Sequence, residues 1–199
     1  MNKKHFNNII FYLLCKVTIL LLKIITSYVK IIMKDVNRMR FCVLTVSDRC
    51  SKGENADASG PLISEILKEK GELVSYRIVP DDQNDISSAL MDMIEKSAPD
   101  LIFTTGGTGF APRDVTPEAT KAVIEREVPG ISEAIRAESL KVTPRAMLSR
   151  AVAGIRGKTL IVNLPGSPKA VRESLAVVLP VLDHAIETLS GRTISCGKG

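Results

Sequence analysis

The chain has 199 residues, of which 45% are hydrophobic and 25% are charged, a balance typical of a globular protein. It contains no Trp and only 4% aromatic residues, which argues against an aromatic platform for single-stranded nucleic acid. The net charge of +5 misleads, because residues 1–39 hold seven basic side chains and one acidic side chain. The other 160 residues therefore have a net charge of −1, and composition gives no reason to expect nucleic acid as a partner.

Residues 1–39 form an N-terminal extension that differs in composition from the rest. Residues 1–34 contain no Gly, Ala, Pro, Asp or Glu, and the longest charge-free run, residues 6–15, is too short to span a bilayer. Three interpretations are open. The segment is an amphipathic helix on a membrane surface, or a targeting segment, or the product of a start assigned too early, with Met33 and Met39 as alternatives. Any membrane association is expected only through residues 1–34, and an amphipathic helix would carry Lys16, Lys23 and Lys30 on one face.

Cysteine spacing argues against both a zinc site and a disulfide framework. The cysteines are Cys15, Cys42, Cys50 and Cys196, and no two of them have the Cys-x-x-Cys spacing of zinc sites. Without a disulfide framework a reducing compartment fits, so we expect a cytoplasmic protein.

From residue 40 onward, apolar runs alternate with segments of helical periodicity. Continuous apolar runs predict four buried strands, at residues 41–46, 73–79, 101–105 and 159–164. Helical spacing predicts helices at residues 59–70, 85–97, 116–124, 131–140, 144–151 and 168–189.

The segments between these elements complete the predicted layout. Gly71 is expected to stop the first helix, and Pro129 to interrupt the chain. Residues 49–58 are expected to form a polar loop, residues 153–158 a loop or short hairpin, and residues 191–199 a loose tail. The alternation predicts one α/β domain at residues 40–190, with a mostly parallel sheet and helices on both faces.

A glycine-rich turn, residues 104–117, joins the third strand to the next helix. Gly106, Gly107 and Gly109 can adopt positive φ and leave backbone N–H groups bare for a ligand. Thr116 is predicted as the helix N-cap, followed by Pro117 at the first helical position, and a helix N-terminus suits a phosphate. No Gly-Lys-Ser/Thr follows, so the turn is not a Walker A loop. The alternative is a tight strand-to-helix turn that binds nothing.

Three aspartates, Asp48, Asp81 and Asp114, are separated by 33 residues each time, one strand–helix unit. Parallel strands end at one edge of the sheet, where ligands of such folds bind, so these carboxylates are expected to meet there. Mg²⁺ prefers one or two carboxylates together with phosphates and water, and Arg113 offers a bidentate phosphate contact. The alternatives are turn or cap residues for Asp48 and Asp81, and a surface ion pair between Arg113 and Asp114.

Two further turns are expected at the same edge of the sheet. One is Ser59-Gly60-Pro61, which opens the first helix, and the other is Pro165–Pro168, with Ser167 as N-cap of the last helix. One crevice would then combine carboxylates, helix N-termini and bare backbone.

Seven motifs in this order resemble the molybdopterin adenylyltransferases, which include the bacterial MogA proteins and the G domains of gephyrin and its plant counterpart. The motifs are Thr45–Asp48, Asp57–Gly60, Val79–Asp81, Thr105–Thr120, Met147–Arg150, Gly154–Gly157 and Asn163–Gly166. The resemblance spans about residues 40–190, and the long central motif is its most specific part.

The resemblance implies a MogA-like α/β fold, usually a homotrimer, and a reaction in which ATP and molybdopterin give adenylylated molybdopterin and pyrophosphate with Mg²⁺. It makes Asp81 and Asp114 the critical carboxylates and the expected metal ligands. Candidate residues for binding pterin and nucleotide are Ser47, Asp48, Ser59, Gly60, Gly106, Gly107, Thr108, Gly109, Arg113, Asn163, Pro165, Gly166 and Ser167. The chain lacks the molybdate-inserting domain that many eukaryotic relatives carry, so a separate partner is expected for that step.

One departure and one rival function accompany the resemblance. Ala58 stands where the family often has Arg, which weakens any phosphate contact there. The rival is a non-catalytic molybdopterin carrier or scaffold module, and the presence of both Asp81 and Asp114 favours the enzyme.

Overall fold

The computed structural model describes residues 16, 21–23, 25–26 and 38–191. The chain divides into two units between Arg38 and Met39. In the first unit the described residues 16, 21–23 and 25–26 are helical. Lys30, Met33 and the tail at residues 192–199 lie outside the described residues, as do the predictions made for them. Among the described residues, no helix is both long enough and apolar enough to cross a bilayer.

The second unit contains six strands and six α-helices among its described residues. The strands are β1 Met39–Val46, β2 Gly71–Val79, β3 Leu101–Thr105, β4 Arg126–Glu127, β5 Ala153–Arg156 and β6 Thr159–Leu164. The helices are α1 Asp48–Ser51, α2 Ser59–Leu67, α3 Gln83–Ser97, α4 Thr116–Val123, α5 Pro129–Leu140 and α6 Pro168–Leu189, with a 3₁₀ helix at Pro144–Leu148.

The strands form one sheet in the order β2-β1-β3-β6-β5-β4. The first four strands of this order are parallel, whereas β5 pairs antiparallel with β6 and with β4. The mostly parallel α/β sheet predicted from the alternation is therefore confirmed. Thr45 pairs with Ile78 on one side and Thr105 on the other, and Thr105 pairs with Leu164. The carboxyl ends of the four parallel strands therefore lie side by side.

Helices cover both faces of the sheet, as the sequence predicted. Alternate residues of the strands point to opposite faces. Phe41 and Phe103 pack in one cluster with residues of α2, α5 and α6, whereas Cys42 and Ile102 pack in the other with residues of α3 and α4. Cys42 is fully buried, and burial raises the pKa of its thiol to about 11. The three central strands thus have the unbroken apolar sequences that a strand covered on both faces requires.

Several predicted boundaries are wrong, for local reasons. Gly71 does not stop a helix: it begins β2, and a Cβ there would lie 2.5 Å from the carbonyl oxygen of Met39 on the adjacent strand. Pro129 does not interrupt the chain but begins α5, where its missing N–H is not needed. The predicted loop at residues 49–58 starts inside α1, and the helix predicted at 144–151 is a shorter 3₁₀ helix.

The edge of the sheet beyond β6 was the least predictable part. Residues 153–158 form a hairpin with β6, one of the two forms that the sequence left open. The two residues of β4, Arg126 and Glu127, are exposed, so they have no apolar pattern that could indicate a strand.

The Asp57 carboxylate fixes the start of α2, whereas the sequence analysis placed Asp57 in a polar loop and in the Asp57–Gly60 motif without giving its side chain a role. Its Oδ1 accepts hydrogen bonds from the N–H groups of Ser59 and Gly60 at 2.8 and 3.1 Å. Its Oδ2 accepts hydrogen bonds from the hydroxyls of Thr45 and Tyr76, each at 2.6 Å. Burial alone would raise the pKa of Asp57, but these hydrogen bonds outweigh burial and lower it.

Asp57→Asn should lower the free energy of unfolding by about 1–2 kcal/mol, because the charged acceptor of these hydrogen bonds is lost. A carboxyl whose pKa is lowered in the folded state stabilises the protein above its unfolded pKa, and this contribution disappears as pH falls toward the folded value. The difference between wild type and variant should therefore shrink on acidification. Urea unfolding at a series of pH values measures this difference in the free energy of unfolding. Asp183→Asn, at an exposed carboxylate, is the control. A difference that is zero at neutral pH, or that does not change with pH, would contradict this role.

A chain that begins at Met39 should fold with the stability of the full chain. Met39 is the first residue of β1, is only 7% exposed, and belongs to the apolar cluster on one face of the sheet. Thermal unfolding of the two chains provides the comparison. A markedly lower melting temperature for the shorter chain would show that residues 1–38 contribute to the core.

Candidate active site

The glycine turn after β3 depends on two residues in the left-handed region. Gly106 has φ +98° and Gly107 has φ +61°. A Cβ at Gly106 would collide with the carbonyl oxygen of Val46, and a Cβ at Gly107 would collide with the hydroxyl of Thr116. Gly109 does not adopt positive φ, but a Cβ there would lie 2.9 Å from Asp114 Oδ2. Gly106 and Gly107 therefore require glycine, whereas a side chain at Gly109 would only have to displace the end of the Asp114 side chain.

Thr116 is not the N-cap that the sequence predicted. Val115 occupies the N-cap position of α4 without a side-chain hydrogen bond. Thr116 is instead fully buried and ties the turn to the helix. Its hydroxyl donates to the Gly106 carbonyl at 2.9 Å, and its backbone N–H donates to the Gly107 carbonyl at 3.1 Å.

Arg150 holds the next two carbonyls of the turn. Its backbone N–H donates to the Thr108 carbonyl at 3.0 Å, and its Nε–H donates to the Gly109 carbonyl at 2.7 Å. With the two bonds from Thr116, four successive carbonyls, from Gly106 to Gly109, are held by α4 and by Arg150.

The orientation of these carbonyls fixes the orientation of the following N–H groups. None of the peptide bonds described is cis, and in a trans peptide the N–H points opposite to the carbonyl of the same unit. The N–H groups of Gly107, Thr108, Gly109 and Phe110 therefore point away from Thr116 and Arg150. They have no acceptor among the described residues. Successive unpaired N–H groups of this kind are a feature that anion-binding turns share.

Asp48 and Asp81, predicted to meet at this edge of the sheet, are in direct contact. The Asp48 N–H donates to Asp81 Oδ2 at 2.8 Å, and the Asp81 N–H donates to Asp48 Oδ1 at 3.1 Å. Ser47 caps α1 by accepting a hydrogen bond from the Cys50 N–H at 3.3 Å. Asp81 Oδ1 has no donor among the described residues and lies 3.3 Å from the position of a Cβ at Gly107. This free oxygen atom therefore faces the glycine turn.

The electrostatics of Asp81 reflect its neighbours. Burial raises the pKa of the Asp81 carboxyl, the charges of Asp48 and Asp114 raise it further, and the Asp48 N–H and Arg113 oppose them. The net direction is upward, with burial as the main cause and the two neighbouring carboxylates as smaller ones. A bound cation would favour the charged form of Asp81 against both effects.

Asp114 lies in the loop between the glycine turn and α4. Its Oδ2 accepts a hydrogen bond from the Ala111 N–H at 2.8 Å, and its own N–H donates to the Ala111 carbonyl at 2.8 Å. Asp114 Oδ1 has no donor in the part of the chain that the structure describes. Arg113 does not pair with Asp114, which was the alternative; its guanidinium lies 4.0 Å from Asp48 Oδ2 and is 68% exposed.

The two turns expected at this edge of the sheet are joined to each other there: the turn before α6 packs against the glycine turn, and the turn before α2 bonds to the turn before α6. The Ser59 hydroxyl donates to the Gly166 carbonyl at 2.8 Å, and a Cβ at Gly166 would lie 3.3 Å from the Gly106 Cα. The Pro165 carbonyl accepts a hydrogen bond from Thr105 Oγ1 at 2.7 Å. Ser167 caps α6 as predicted, by accepting the Ala170 N–H at 3.3 Å. A Cβ at Gly60 would lie 2.5 Å from Asp57 Oδ2, so this position also requires glycine.

Asn163 is not brought to the surface of this crevice. It is 1% exposed, and its Nδ2 donates to the hydroxyls of Thr104 and Thr120, each at 2.9 Å. Its Oδ1 accepts a hydrogen bond from the Val152 N–H at 3.2 Å. The side chain joins β3, β6 and α4 behind the site.

The sequence analysis did not identify a cleft of about 260 Å³ beside the glycine turn. Thr108, Gly109 and Pro165 form one wall. The polar side chains of the opposite wall come from α5, the 3₁₀ helix and the segment after it, and they include Arg136, Ser139, Arg145 and Ser149. These elements show only helical periodicity in the sequence. The one indication was the Met147–Arg150 motif, to which no role was assigned.

Comparison with known proteins agrees with this geometry. A family model described as "Probable molybdopterin binding domain" matches residues 42–184. A molybdopterin adenylyltransferase from Helicobacter pylori J99 is 47% identical over 154 residues, covering 75% of this chain and 86% of that protein. The Escherichia coli K12 protein of the same name is 43% identical, covering 70% and 73%. Gephyrin from Dictyostelium discoideum is 48% identical, but the match covers 75% of this chain and 22% of gephyrin.

Solved structures give the same result. The molybdopterin biosynthesis enzyme MoaB from Thermus thermophilus superposes with a TM-score of 0.73 at 50% identity, covering 77% of this chain and 97% of that chain. The Mog protein from Mycobacterium ulcerans superposes with a TM-score of 0.72 at 41% identity, covering 78% and 99%. The chain therefore belongs to the molybdopterin-binding family that includes the molybdopterin adenylyltransferases, the MogA and MoaB proteins and the matching domain of gephyrin.

Proposed function

We propose that the protein acts in molybdenum cofactor biosynthesis as a molybdopterin adenylyltransferase, transferring AMP from ATP to molybdopterin and releasing pyrophosphate. One observation carries the proposal: the free carboxylate oxygen of Asp81 lies beside Gly107, the first of four successive residues, 107–110, whose N–H groups have no acceptor among the described residues. Phosphate oxygens need donors such as these, and the metal ion that accompanies a nucleotide needs the carboxylate.

The residues fit a Mg²⁺ ion held by Asp81 and Asp114. Each has an Oδ1 atom without a donor among the described residues, and burial together with the nearby charges of Asp48 and Asp114 raises the pKa of Asp81. No group of three or more potential ligand side chains occurs in the described ranges. This agrees with Mg²⁺ that takes its remaining ligands from phosphate and water. When bound, the ion would offset the negative charge of the phosphates.

The N–H groups of Gly107 to Phe110 would bind the α-phosphate of ATP. They are held from behind by Thr116 and Arg150, so they need no reorganisation when charge develops on the phosphate. Arg113, which is exposed beside Asp48, would contact a second phosphate group. Ser59 and Gly166 would support this arrangement through the hydrogen bond that joins their two turns.

The cleft beside the glycine turn would bind the pterin of molybdopterin. Its volume of about 260 Å³ is close to the lower end of ordinary small-ligand pockets, roughly 300 Å³. Arg145 and Ser149 supply donors on the side opposite Thr108 and Gly109. A pterin in this cleft would bring its terminal phosphate toward the N–H groups that hold the nucleotide.

The reaction is a single displacement at phosphorus. The terminal phosphate oxygen of molybdopterin forms a bond to the α-phosphorus of ATP. The bond from that phosphorus to the bridging oxygen of the β-phosphate breaks, and pyrophosphate leaves with the electron pair. No protein nucleophile is needed, so catalysis consists of alignment and of charge stabilisation by N–H groups.

The second candidate function is a non-catalytic molybdopterin carrier or scaffold module. It is favoured by the match to gephyrin, of which this domain covers only 22%. A carrier would need the cleft but not the two free carboxylate oxygens of Asp81 and Asp114. We also propose a cytoplasmic location and a separate partner protein that inserts molybdate.

Mass spectrometry of the products tests the enzyme directly. With ATP, Mg²⁺ and molybdopterin, the protein should produce adenylylated molybdopterin and pyrophosphate in equal amounts. Binding of molybdopterin without any product would favour the carrier.

Asp114→Asn should lower the rate of AMP transfer by roughly 10²-fold or more, the loss expected when one stabilising group leaves an active site. The amide oxygen can still accept the Ala111 N–H, so the loop should keep its shape while the metal site loses a charge. Molybdopterin affinity should change much less, and excess Mg²⁺ should recover little activity.

Asp183→Asn is the matched control, because Asp183 is an exposed carboxylate on α6 that forms a salt bridge with Lys70. It should retain the wild-type rate. An Asp114→Asn protein that transfers AMP as fast as this control would exclude Asp114 as a metal ligand.

The protein should also self-associate as a homotrimer, a closed cyclic assembly. The expectation rests on the family and on the near-neutral charge of residues 40–199. Light scattering at micromolar concentration should give three times the chain mass of 21.6 kDa, and a monomer mass would contradict it.

A further inference from the structure

Arg150 makes more contacts with the glycine turn and its loop than any function assigned so far requires. Besides its bonds to the carbonyls of Thr108 and Gly109, its Nη2 donates to the backbone carbonyl of Asp114. Its Nη1 pairs with the Glu118 carboxylate on α4. One side chain therefore joins the glycine turn, the Asp114 loop and the following helix.

The contact with Asp114 extends the effect of Arg150 to the proposed metal ligand. The Asp114 carbonyl is held by the guanidinium, and the N–H and carboxylate of the same residue are held by Ala111. Both sides of the Asp114 backbone are thus fixed, and Oδ1 is the carboxylate oxygen that has no donor among the described residues.

Arg150 also lies where the glycine turn meets the cleft beside it. Its neighbours in sequence, Ser149 and Ala151, line the cleft, together with Thr108 and Gly109. The guanidinium bonds to the loop from behind the wall that these residues share. Displacement of Arg150 would therefore disturb the N–H row and Asp114 together.

A simpler reading is that Arg150 is a surface ion pair with Glu118. The two side chains are 35% and 44% exposed, and exposed pairs contribute little to stability. However, three of the contacts of Arg150 are to backbone carbonyls, which an ion pair does not explain.

We propose that Arg150 is a positioning residue, which holds the carbonyls of Thr108, Gly109 and Asp114 so that the N–H row and the Asp114 carboxylate form one preorganised site. The proposal rests on the proposed function for the identity of the ligand, a magnesium-bound nucleotide. The planar guanidinium matters because its Nε–H, Nη1 and Nη2 groups reach separate acceptors at once, whereas a lysine ammonium cannot match this geometry.

Arg150→Lys is the test variant and Arg156→Lys is its matched control. Arg156 is 32% exposed, lies 3.9 Å from Glu125, and donates to the Val123 carbonyl at 2.8 Å. It thus makes the same kinds of contact away from the glycine turn. Amide hydrogen exchange by NMR reads the loop directly, at the N–H groups of Ala111 and Asp114.

Arg150→Lys should increase exchange at these two amides by about tenfold or more, since charge-assisted hydrogen bonds are lost. It should weaken binding of Mg²⁺ with a non-hydrolysable ATP analogue by about tenfold or more, measured by calorimetry. Arg156→Lys should leave both the exchange rates of these amides and the affinity for the ATP analogue within about twofold of wild type. For AMP transfer, kcat should fall while KM for molybdopterin changes little.

Glu118→Gln separates positioning from the ion pair. It removes the charge partner but leaves the carbonyl contacts of Arg150, so analogue binding should stay within about threefold of wild type. If Glu118→Gln reproduces the full loss seen with Arg150→Lys, or if Arg150→Lys leaves the loop amides unchanged, the proposal is wrong. Faster exchange throughout the sheet would also overturn it, because the role would then be general stability.

The unmodified protein gives a result that depends on no variant. The Arg150 Nε–H resonance should exchange slowly and shift when Mg²⁺ and the analogue bind, and rapid exchange would overturn the proposal. Absence of adenylylated product with wild type would overturn the proposed function, whereas the exchange of the Ala111 and Asp114 amides would still decide the role of Arg150.

Discussion

The site depends on one constraint: four successive carbonyls, from Gly106 to Gly109, accept hydrogen bonds from inside the protein. Thr116 holds the first two and Arg150 holds the others. Because the peptide units are planar and trans, this leaves a row of N–H groups facing the other way. Burying a carbonyl without a donor is costly, so the same bonds that stabilise the turn also determine what it can bind. The positive φ values of Gly106 and Gly107 make this chain path accessible.

The sheet supplies the frame in which this turn meets the carboxylates. Residues at the carboxyl ends of β1, β2, β3 and β6 are in register, so the loops that follow these strands converge at one edge. The reciprocal hydrogen bonds of Asp48 and Asp81 join the connections that follow β1 and β2, and the bond from Ser59 to Gly166 joins the connection after β1 to the loop after β6. The convergence also buries Asp81 and brings the carboxylates of Asp48 and Asp114 near it, and burial, with a smaller contribution from these charges, raises the pKa of Asp81. This grouping of carboxylates is the reason for expecting a cation between these loops and a phosphate ligand.

Local sequence was enough to predict the four parallel strands, the convergence of Asp48 and Asp81, and the cap at Ser167. It failed where a role depends on a partner distant in the chain. The Arg150 side chain bonds to Gly109, 41 residues away, and to Asp114, 36 residues away, and no spacing rule connects them. Thr116 precedes a proline and therefore looks like an N-cap residue. Its hydroxyl instead donates a hydrogen bond to the carbonyl of Gly106, ten residues earlier in the chain. Asp57 looked like an ordinary loop residue because Thr45 and Tyr76, which donate to it, belong to separate strands.

The central claim is that the N–H groups of Gly107, Thr108, Gly109 and Phe110 bind a phosphate of a magnesium-bound nucleotide. The most direct measurement is the set of backbone amide shifts of ¹⁵N-labelled protein during titration with Mg²⁺ and a non-hydrolysable ATP analogue. These four amide protons should move downfield and by more than those elsewhere in the sheet, because a charged acceptor replaces water. If the analogue binds and other amides shift while these four stay in place, the glycine turn is only a tight turn and the account is wrong.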